Sequence, residues 1–181
     1  MSLGWVVGVL EFLTDALSAG AGDMLWPKRL PGPDWEPPHR APRLSDEKRQ
    51  ALANAMLLTL GWDGREAPQE RSALVDELCA AAGGVERAEV APLLGVARER
   101  VYAMKNLGAS RTLLAEACAA MTTFDEQVHL LRCVATVAWA DPDAGKRQRD
   151  VVDVFAFELG IDKERTDRLV AAARERVQRY L

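Results

Sequence analysis

The chain has 181 residues, of which 49% are hydrophobic and 28% are charged, and its formal net charge is −4. This composition is typical of a soluble globular protein, and the negative charge excludes a global attraction to nucleic acid or anionic lipid. Many alanines, leucines, arginines and glutamates favour helix throughout the chain. Cys79, Cys118 and Cys133 lie far apart and lack the spacing of zinc ligands, so we expect buried free thiols.

Residues 1–19 are predicted to form an amphipathic helix, because hydrophobic residues recur at the spacing of one helical face while Glu11 and Asp15 lie opposite. The segment is too short and too acidic to span a membrane, and it lacks the basic start of a signal peptide. It either packs onto the rest of the chain or docks on a partner protein or a membrane surface. The candidate partner-binding residues in it are Trp5, Val6, Val9, Leu10, Leu13 and Leu17.

Residues 20–44 are predicted to form a linker arm, because prolines and glycines throughout the segment disfavour helix. Trp26 and Trp35 are more apolar than a solvated linker requires. We expect the two tryptophans to contact a helical surface of the same chain, or the arm to serve as a proline-rich ligand for a partner. Both are therefore further candidate partner-binding residues.

Residues 45–181 are predicted to form one all-α domain whose sequence contains an internal repeat. Six residues of the first half recur in type at a constant offset, and residues 97–101 recur unchanged as residues 173–177. Self-similarity of this length indicates a supersecondary unit that is used twice. We therefore predict a compact bundle of about seven helices built from two related three-helix units. The recurring pairs are Thr59 and Thr136, Trp62 and Trp139, Ala67 and Ala144, Val75 and Val152, Asp76 and Asp153, and Gly83 and Gly160.

Each copy of the repeat contains an acidic loop after its first helix. Carboxylates at short spacing beside a glycine can bind a hard cation such as calcium. The alternative is that these residues form a turn and cap the helix that follows. An EF-hand is excluded, because Leu74 and Val152 occupy the positions of its closing glutamate. The candidate metal ligands are Asp63, Glu66, Glu70, Asp141 and Asp143.

Residues 87–106 match the spacing of a helix-turn-helix with its turn at Gly95, which gives an alternative function as a DNA-binding regulator. Pro92 inside the first helix and the acidic composition count against this alternative. We expect this stretch to form one broken helix or two short ones, interrupted at Pro92 and Gly95. The candidate nucleic-acid contacts are Arg98, Arg100, Tyr102 and Lys105.

No enzymatic motif is recognisable in the sequence. It contains no Gly-x-Ser-x-Gly and no phosphate-binding glycine-rich loop after a strand, and it lacks the two Glu-x-x-His motifs of a di-iron bundle, since Glu126 to His129 is a single one. Of the two histidines, His39 lies in the proline-rich arm. His129 falls between polar residues of its helix, so we predict that it lies on a solvated face. We therefore predict that the chain is not an enzyme.

The first acidic loop and its flanking helices resemble the tellurite-resistance TerB-like domain, a family that includes the N-terminal domain of the DjlA membrane co-chaperones. The resemblance rests on Leu-Thr-Leu-Gly-Trp-Asp-Gly at residues 58–64, Pro-Gln-Glu at residues 68–70, and a helix that ends at Gly83 and Gly84. It covers roughly residues 45–179. The second copy keeps Asp141 but lacks the following glycine, and Gln148 stands at the position of the later acid.

The resemblance implies a helical bundle of about seven helices whose acidic loop residues contact a metal. It also implies association with membrane-linked stress-response assemblies, or with other protein assemblies, rather than catalysis. We therefore predict a non-catalytic interaction or scaffold module that responds to a cation. Its expected location is the cytoplasm, either free or at the inner face of the membrane, and its expected partner is another protein.

Overall fold

The computed structural model describes residues 42–62, 67–104, 107–142 and 146–178, and all structural statements below refer to these residues. They contain seven α-helices and no strand, which confirms the predicted all-α bundle. The predicted N-terminal helix and most of the proline-rich arm lie outside the described residues. The helices are α1 (Asp46–Leu60), α2 (Pro68–Ala81), α3 (Arg87–Tyr102), α4 (Leu107–Ala120), α5 (Phe124–Ala140), α6 (Lys146–Leu159) and α7 (Lys163–Val177).

Three helices begin at a serine, a threonine or an aspartate, which are residue types that commonly cap helix starts. Ser45 Oγ accepts from the backbone N–H of Lys48 at 3.4 Å, and Asp162 Oδ1 accepts from that of Arg165 at 2.9 Å. Thr123 and Glu126 form a reciprocal capping box at the start of α5, with distances of 3.3 and 3.1 Å. These contacts satisfy backbone donors that a helix start otherwise leaves open.

Two helices end at glycines in the left-handed region. Gly84 has a φ of 85° and its N–H donates to the Cys79 carbonyl at 2.8 Å, which closes α2. Gly160 has a φ of 68° after α6, and the N–H of Ile161 then donates to the Ala156 carbonyl at 2.9 Å. In both cases a backbone N–H just beyond the helix donates to the carbonyl five residues earlier. A residue with positive φ makes this hydrogen bond possible.

Helices α1 and α5 lie at the centre of the bundle. Every residue from 51 to 60 in α1 and from 133 to 138 in α5 is buried. The first helix packs against α2, α3, α4 and α5, while α5 packs against α1, α2, α6 and α7. A helix surrounded on all sides buries its polar positions together with its apolar ones.

The position of α5 corrects the prediction for His129. This residue is 1% exposed, although polar neighbours along the helix suggested a solvated face. The neighbouring helices cover the face on which it lies, so no solvated side of α5 exists at this position. The prediction was wrong because the spacing of polar residues separates the faces of one helix but does not reveal whether other helices cover the polar face.

Helix α3 corrects the prediction of a break at Pro92 and Gly95. The helix is continuous from Arg87 to Tyr102, with Pro92 inside it. Pro92 cannot donate to the Ala88 carbonyl, so one backbone hydrogen bond of the helix is missing. Val90, Ala97 and Val101 are buried in the core, and their packing on the bundle holds the helix together despite that loss.

Other expectations are confirmed in part. Cys118 and Cys133 are buried and Cys79 is partly buried, and all three are free thiols. Within the described residues, no helix has the length and apolar character needed to cross a membrane. The internal repeat and the division into two related three-helix units remain predictions.

Candidate functional site

One of the predicted metal ligands, Glu70, lies at the start of a helix. Glu70 is buried, and its Oε2 accepts from the backbone N–H of Ala67 at 2.8 Å, at the beginning of α2. This contact corresponds to the capping alternative named from the sequence. Asp141 lies at the C-terminal end of α5, while Asp63, Glu66 and Asp143 lie outside the described residues. Across the described ranges, no group of three or more His, Cys, Asp or Glu side chains is arranged to hold a metal ion.

The second loop lies beside an aromatic and charged surface that the sequence analysis did not identify. The guanidinium groups of Arg149 and Arg174 lie over the ring of Trp139, at 5.8 and 5.3 Å from its centroid. A small cavity of about 190 Å³ adjoins them. Lys163 in the cavity wall lies 3.9 Å from Asp153, so cations and carboxylates alternate around the cavity.

The candidate nucleic-acid residues do not form a helix-turn-helix. Helix α3 continues through Gly95, where the motif requires a turn. Arg98 is exposed, and Tyr102 is 62% exposed. Arg100 donates to Glu116 of α4 at 2.7 Å, so its charge is already paired within the chain. Lys105 lies outside the described residues, as do all the candidate partner-binding residues of the N-terminal helix and arm.

A buried polar group connects α2, α5 and α7. Glu77 of α2 is 0% exposed and forms an ion pair with Arg176 of α7. The Sγ atom of Cys133 lies 3.6 Å from the other carboxylate oxygen of Glu77 and 3.8 Å from His129 Nε2. Arg132 donates to His129 Nδ1 at 2.8 Å. The group therefore contains a thiol, an imidazole and a carboxylate, which are the side chains of a Cys–His nucleophile pair.

The electrostatics of this group do not suit nucleophilic catalysis. Burial, together with the positive charges of Arg132 and Arg176, lowers the pKa of His129 to about 3. Burial and the Glu77 carboxylate raise the pKa of Cys133 well above its usual value. An activated pair needs the opposite shift at cysteine, because the thiolate is the nucleophile. The group consequently acts as an internal contact between three helices.

A cleft between α1, α3 and α4 is the best candidate for a functional site. Its volume is about 590 Å³, within the usual range of protein ligand pockets. Alanines of α1 and α4 line its floor, and charged and amide side chains form its rim. The rim consists of Glu47, Gln50, Arg100, Glu116 and the exposed Ala119, the floor consists of Ala51, Ala117 and Ala120, and the buried Asn54 also lines the cleft.

Asn54 is the residue of the cleft whose hydrogen bonding is incomplete. It is only 3% exposed, and its Oδ1 accepts from Gln50 Nε2 at 3.2 Å. The same Gln50 nitrogen donates to the Leu93 carbonyl at 3.1 Å, which joins α1 to α3. In this orientation of the amide, no group within the described parts of the chain accepts from Asn54 Nδ2. The fully buried side-chain atoms that lack a partner in the described ranges lie elsewhere, for example Trp62 Nε1 and Ser110 Oγ. The Asn54 amide instead lines the cleft, so a ligand with an acceptor can bond to its Nδ2 donor.

The charge at the rim of the cleft is unbalanced. Arg100 and Glu116 neutralise each other across the cleft, from α3 to α4. Glu47 is exposed, and no described residue forms an ion pair with it. One uncompensated carboxylate therefore remains at the rim, and a group of positive charge would complement it.

Sequence reasoning missed this cleft for a physical reason. Its residues come from three different helices, and they are alanines, amides, one ion pair and one further glutamate without a motif. Asn54 in the middle of an apolar helix was the one available signal, because a buried asparagine needs a partner. The approach of α3 and α4 to α1 cannot be obtained from the periodicity of α1.

Comparison of the chain with family models, with curated proteins and with solved structures finds no match. The resemblance to the TerB-like domain accordingly remains a prediction from the motif around the first acidic loop.

Proposed function

We propose that this chain is a non-catalytic interaction module that binds a polypeptide segment of another protein in the cleft between α1, α3 and α4. The observation that carries the proposal is Asn54, an amide that lines the cleft and whose Nδ2 donor has no acceptor within the described residues. A main-chain carbonyl is the acceptor that every polypeptide offers. The resemblance to the TerB-like domain, which implies protein assemblies, supports the same class of function.

The shape and charge of the cleft support a polypeptide ligand. Side chains no larger than methyl groups form its floor, so a peptide main chain can approach closely enough to bond with Asn54. The carboxylate of Glu47 favours a segment that carries a lysine or an arginine. The proposed ligand is therefore a short peptide segment with at least one basic side chain.

Two parts of the sequence-based prediction belong to this proposal. Calcium at the acidic loops would involve Asp63, Glu66, Glu70, Asp141 and Asp143, and it would make peptide binding dependent on the ion. A location in the cytoplasm, free or at the inner face of the membrane, suits a module that binds another protein. Binding measured with and without calcium examines the first part.

The experiment is a selection of short displayed peptides on the immobilised full-length protein, followed by affinity measurements with the selected synthetic peptides. Ala119→Trp places an indole in the cleft at an exposed position. Ala171→Trp is the matched control, because Ala171 is an exposed alanine on α7. The expected peptides carry a basic residue, and Ala119→Trp weakens their binding by roughly tenfold or more while Ala171→Trp has no effect.

Two further variants examine the proposed contacts. Asn54→Leu removes the amide with little change in volume and is expected to weaken binding by about tenfold. Glu47→Gln is expected to reduce both the preference for basic residues and the dependence of binding on salt. The proposal is overturned if no peptide is selected, or if Ala119→Trp and Ala171→Trp bind the selected peptides equally well.

A further inference from the structure

The outer face of α3 is exposed and almost free of charge. The exposed residues recur with helical spacing along one side of the helix, opposite the side that contacts the core. Glu99 lies within this face, and Arg98 is exposed at its edge, in the helical row of Gly95 and Tyr102. A helix face that remains in water normally carries several charged side chains. The outer face of α3 consists of Ala88, Ala91, Pro92, Gly95, Val96, Glu99, Tyr102 and Ala103.

Two residues of this face lower the stability of the helix. Pro92 removes a backbone hydrogen bond, and Gly95 has a lower helix propensity than any residue except proline. A Cβ atom added at Gly95 would meet no atom within 4 Å, so packing within the chain does not require a glycine there. Packing within the chain therefore does not account for a proline and a glycine at these positions.

The same face carries large hydrophobic side chains toward its C-terminal end. Val96 is 48% exposed and Tyr102 is 62% exposed, and these are two of the three large hydrophobic residues exposed in the described ranges. Small residues occupy the N-terminal half of the face, from Ala88 to Gly95. The face thus has a flat half and a protruding half, divided near Gly95.

We infer that the outer face of α3 binds the same face of a second copy of this chain, with the two helices antiparallel across a twofold axis near Gly95. That axis places Tyr102 of each copy on the small residues near Ala88 of the other copy, while the two Val96 side chains meet each other beside the axis. The absence of a side chain at Gly95 allows the two backbones to approach closely at the axis.

The charges beside this face agree with the twofold arrangement. Glu89 and Arg100 lie on the same flank of α3, at nearly equal distances from Gly95 in opposite directions. An antiparallel pair of helices therefore brings Glu89 of each copy close to Arg100 of the other. A guanidinium has five N–H donors, so Arg100 can keep its contact with Glu116 and still bond a second carboxylate.

The closest test is a cysteine at the axis. Gly95→Cys in the full-length protein has space for its side chain, and mild oxidation is expected to produce a covalent dimer. Ala171→Cys, at an exposed position of α7, is the matched control and is expected to stay monomeric under the same oxidation. The wild-type chain, with the partly buried Cys79, gives the background.

Sedimentation measures the same interface without a covalent bond. Wild-type protein is expected to sediment as a dimer that dissociates on dilution, and Val96→Glu is expected to raise the dissociation constant by roughly tenfold or more. Val96→Ala shortens the side chain without adding a charge, and Ala171→Glu adds the same charge at an exposed site on α7. The two variants together show whether the effect of Val96→Glu comes from the added charge at this face. Both Glu variants are checked for an unchanged helical circular dichroism spectrum.

A monomeric wild-type protein at all concentrations, together with the absence of a Gly95→Cys dimer, would overturn the inference. Cross-linking of Gly95→Cys to a cysteine placed at Val9 of the same chain would also overturn it, since the predicted N-terminal helix would then occupy the face. Dimers that Val96→Glu leaves intact would show that another surface is used, and they count against the inference equally.

Discussion

The chain contains two polar regions that differ in how completely their groups are satisfied. The buried group around Glu77 joins three helices, and its carboxylate contacts both Arg176 and Cys133. The cleft around Asn54 also joins three helices, but the Asn54 amide donor has no acceptor within the described residues. A saturated buried group stabilises one arrangement of helices, whereas an unsaturated one beside an open cleft can bind a ligand. Both regions contain polar side chains, so composition does not distinguish them. The difference lies in whether each polar group has a hydrogen-bond partner within the chain: the group around Glu77 is a structural contact, and the cleft around Asn54 is a candidate site.

The largest expected difference between the two regions concerns their ion pairs. Glu77→Gln leaves the Arg176 charge without its buried partner and is expected to lower the free energy of unfolding by about 3 kcal/mol. The Arg176 side chain is 33% exposed, so water partly solvates its charge. The expected loss of unfolding free energy is therefore near the lower end of the range for broken buried ion pairs. Glu116→Gln removes the cleft pair with Arg100, which is about half exposed on both sides, and is expected to cost less than about 1 kcal/mol. Urea unfolding of both variants measures the contrast, and equal losses would contradict it.

A second difference concerns the dependence of stability on pH. The pKa of His129 falls from 6.5 in the unfolded chain to about 3 in the folded one, because burial and two arginines disfavour the imidazolium. The folded state therefore binds fewer protons than the unfolded state. Stability from neutral His129 is complete above pH 6.5 and is lost as the pH falls toward about 3.

Lowering the pH from 7 to 5 is consequently expected to cost about 2 kcal/mol of unfolding free energy through His129. Glu126 titrates below this window: burial would raise its pKa, but hydrogen bonds from Lys48 and the Thr123 and Thr122 backbone lower it from 4.5 to about 2. His129→Leu should remove most of the loss between pH 7 and 5. If His129→Leu and wild type lose the same unfolding free energy between pH 7 and 5, the pH dependence arises from another group.

The smallest expected effect belongs to the cleft. Asn54→Leu loses one hydrogen bond to Gln50 but also removes an amide donor that no described residue accepts from. These two changes oppose each other, so the free energy of unfolding is expected to stay within about 1 kcal/mol of wild type. A loss above about 2 kcal/mol would show that Asn54 is as saturated as Glu77, and the distinction between the regions would fail. The same variant separates stability from peptide binding, where a larger effect is expected.

Much of the fold follows from local sequence signals. Ser45, Thr123 and Asp162 cap helices, and Gly83, Gly84 and Gly160 lie at helix ends with positive φ, as the sequence predicts. These features depend on a few neighbouring residues and on backbone geometry, so they are readable without knowledge of the fold. Of the candidate sites, the sequence predicted residues in the acidic loops and the N-terminal arm, and most of these residues lie outside the described part of the chain.

Local signals in the sequence predicted the helical class, the free thiols and those helix ends that carry a capping residue or a terminal glycine. Tertiary structure alone decided which helices became central, and this placed His129 in the core and kept α3 continuous through Pro92. It also brought Asn54, Arg100 and Glu116 to one cleft from three separate helices. The physical reason is the range of the interactions: capping and turn geometry act over a few residues, whereas burial and the pairing of charges depend on packing between distant segments.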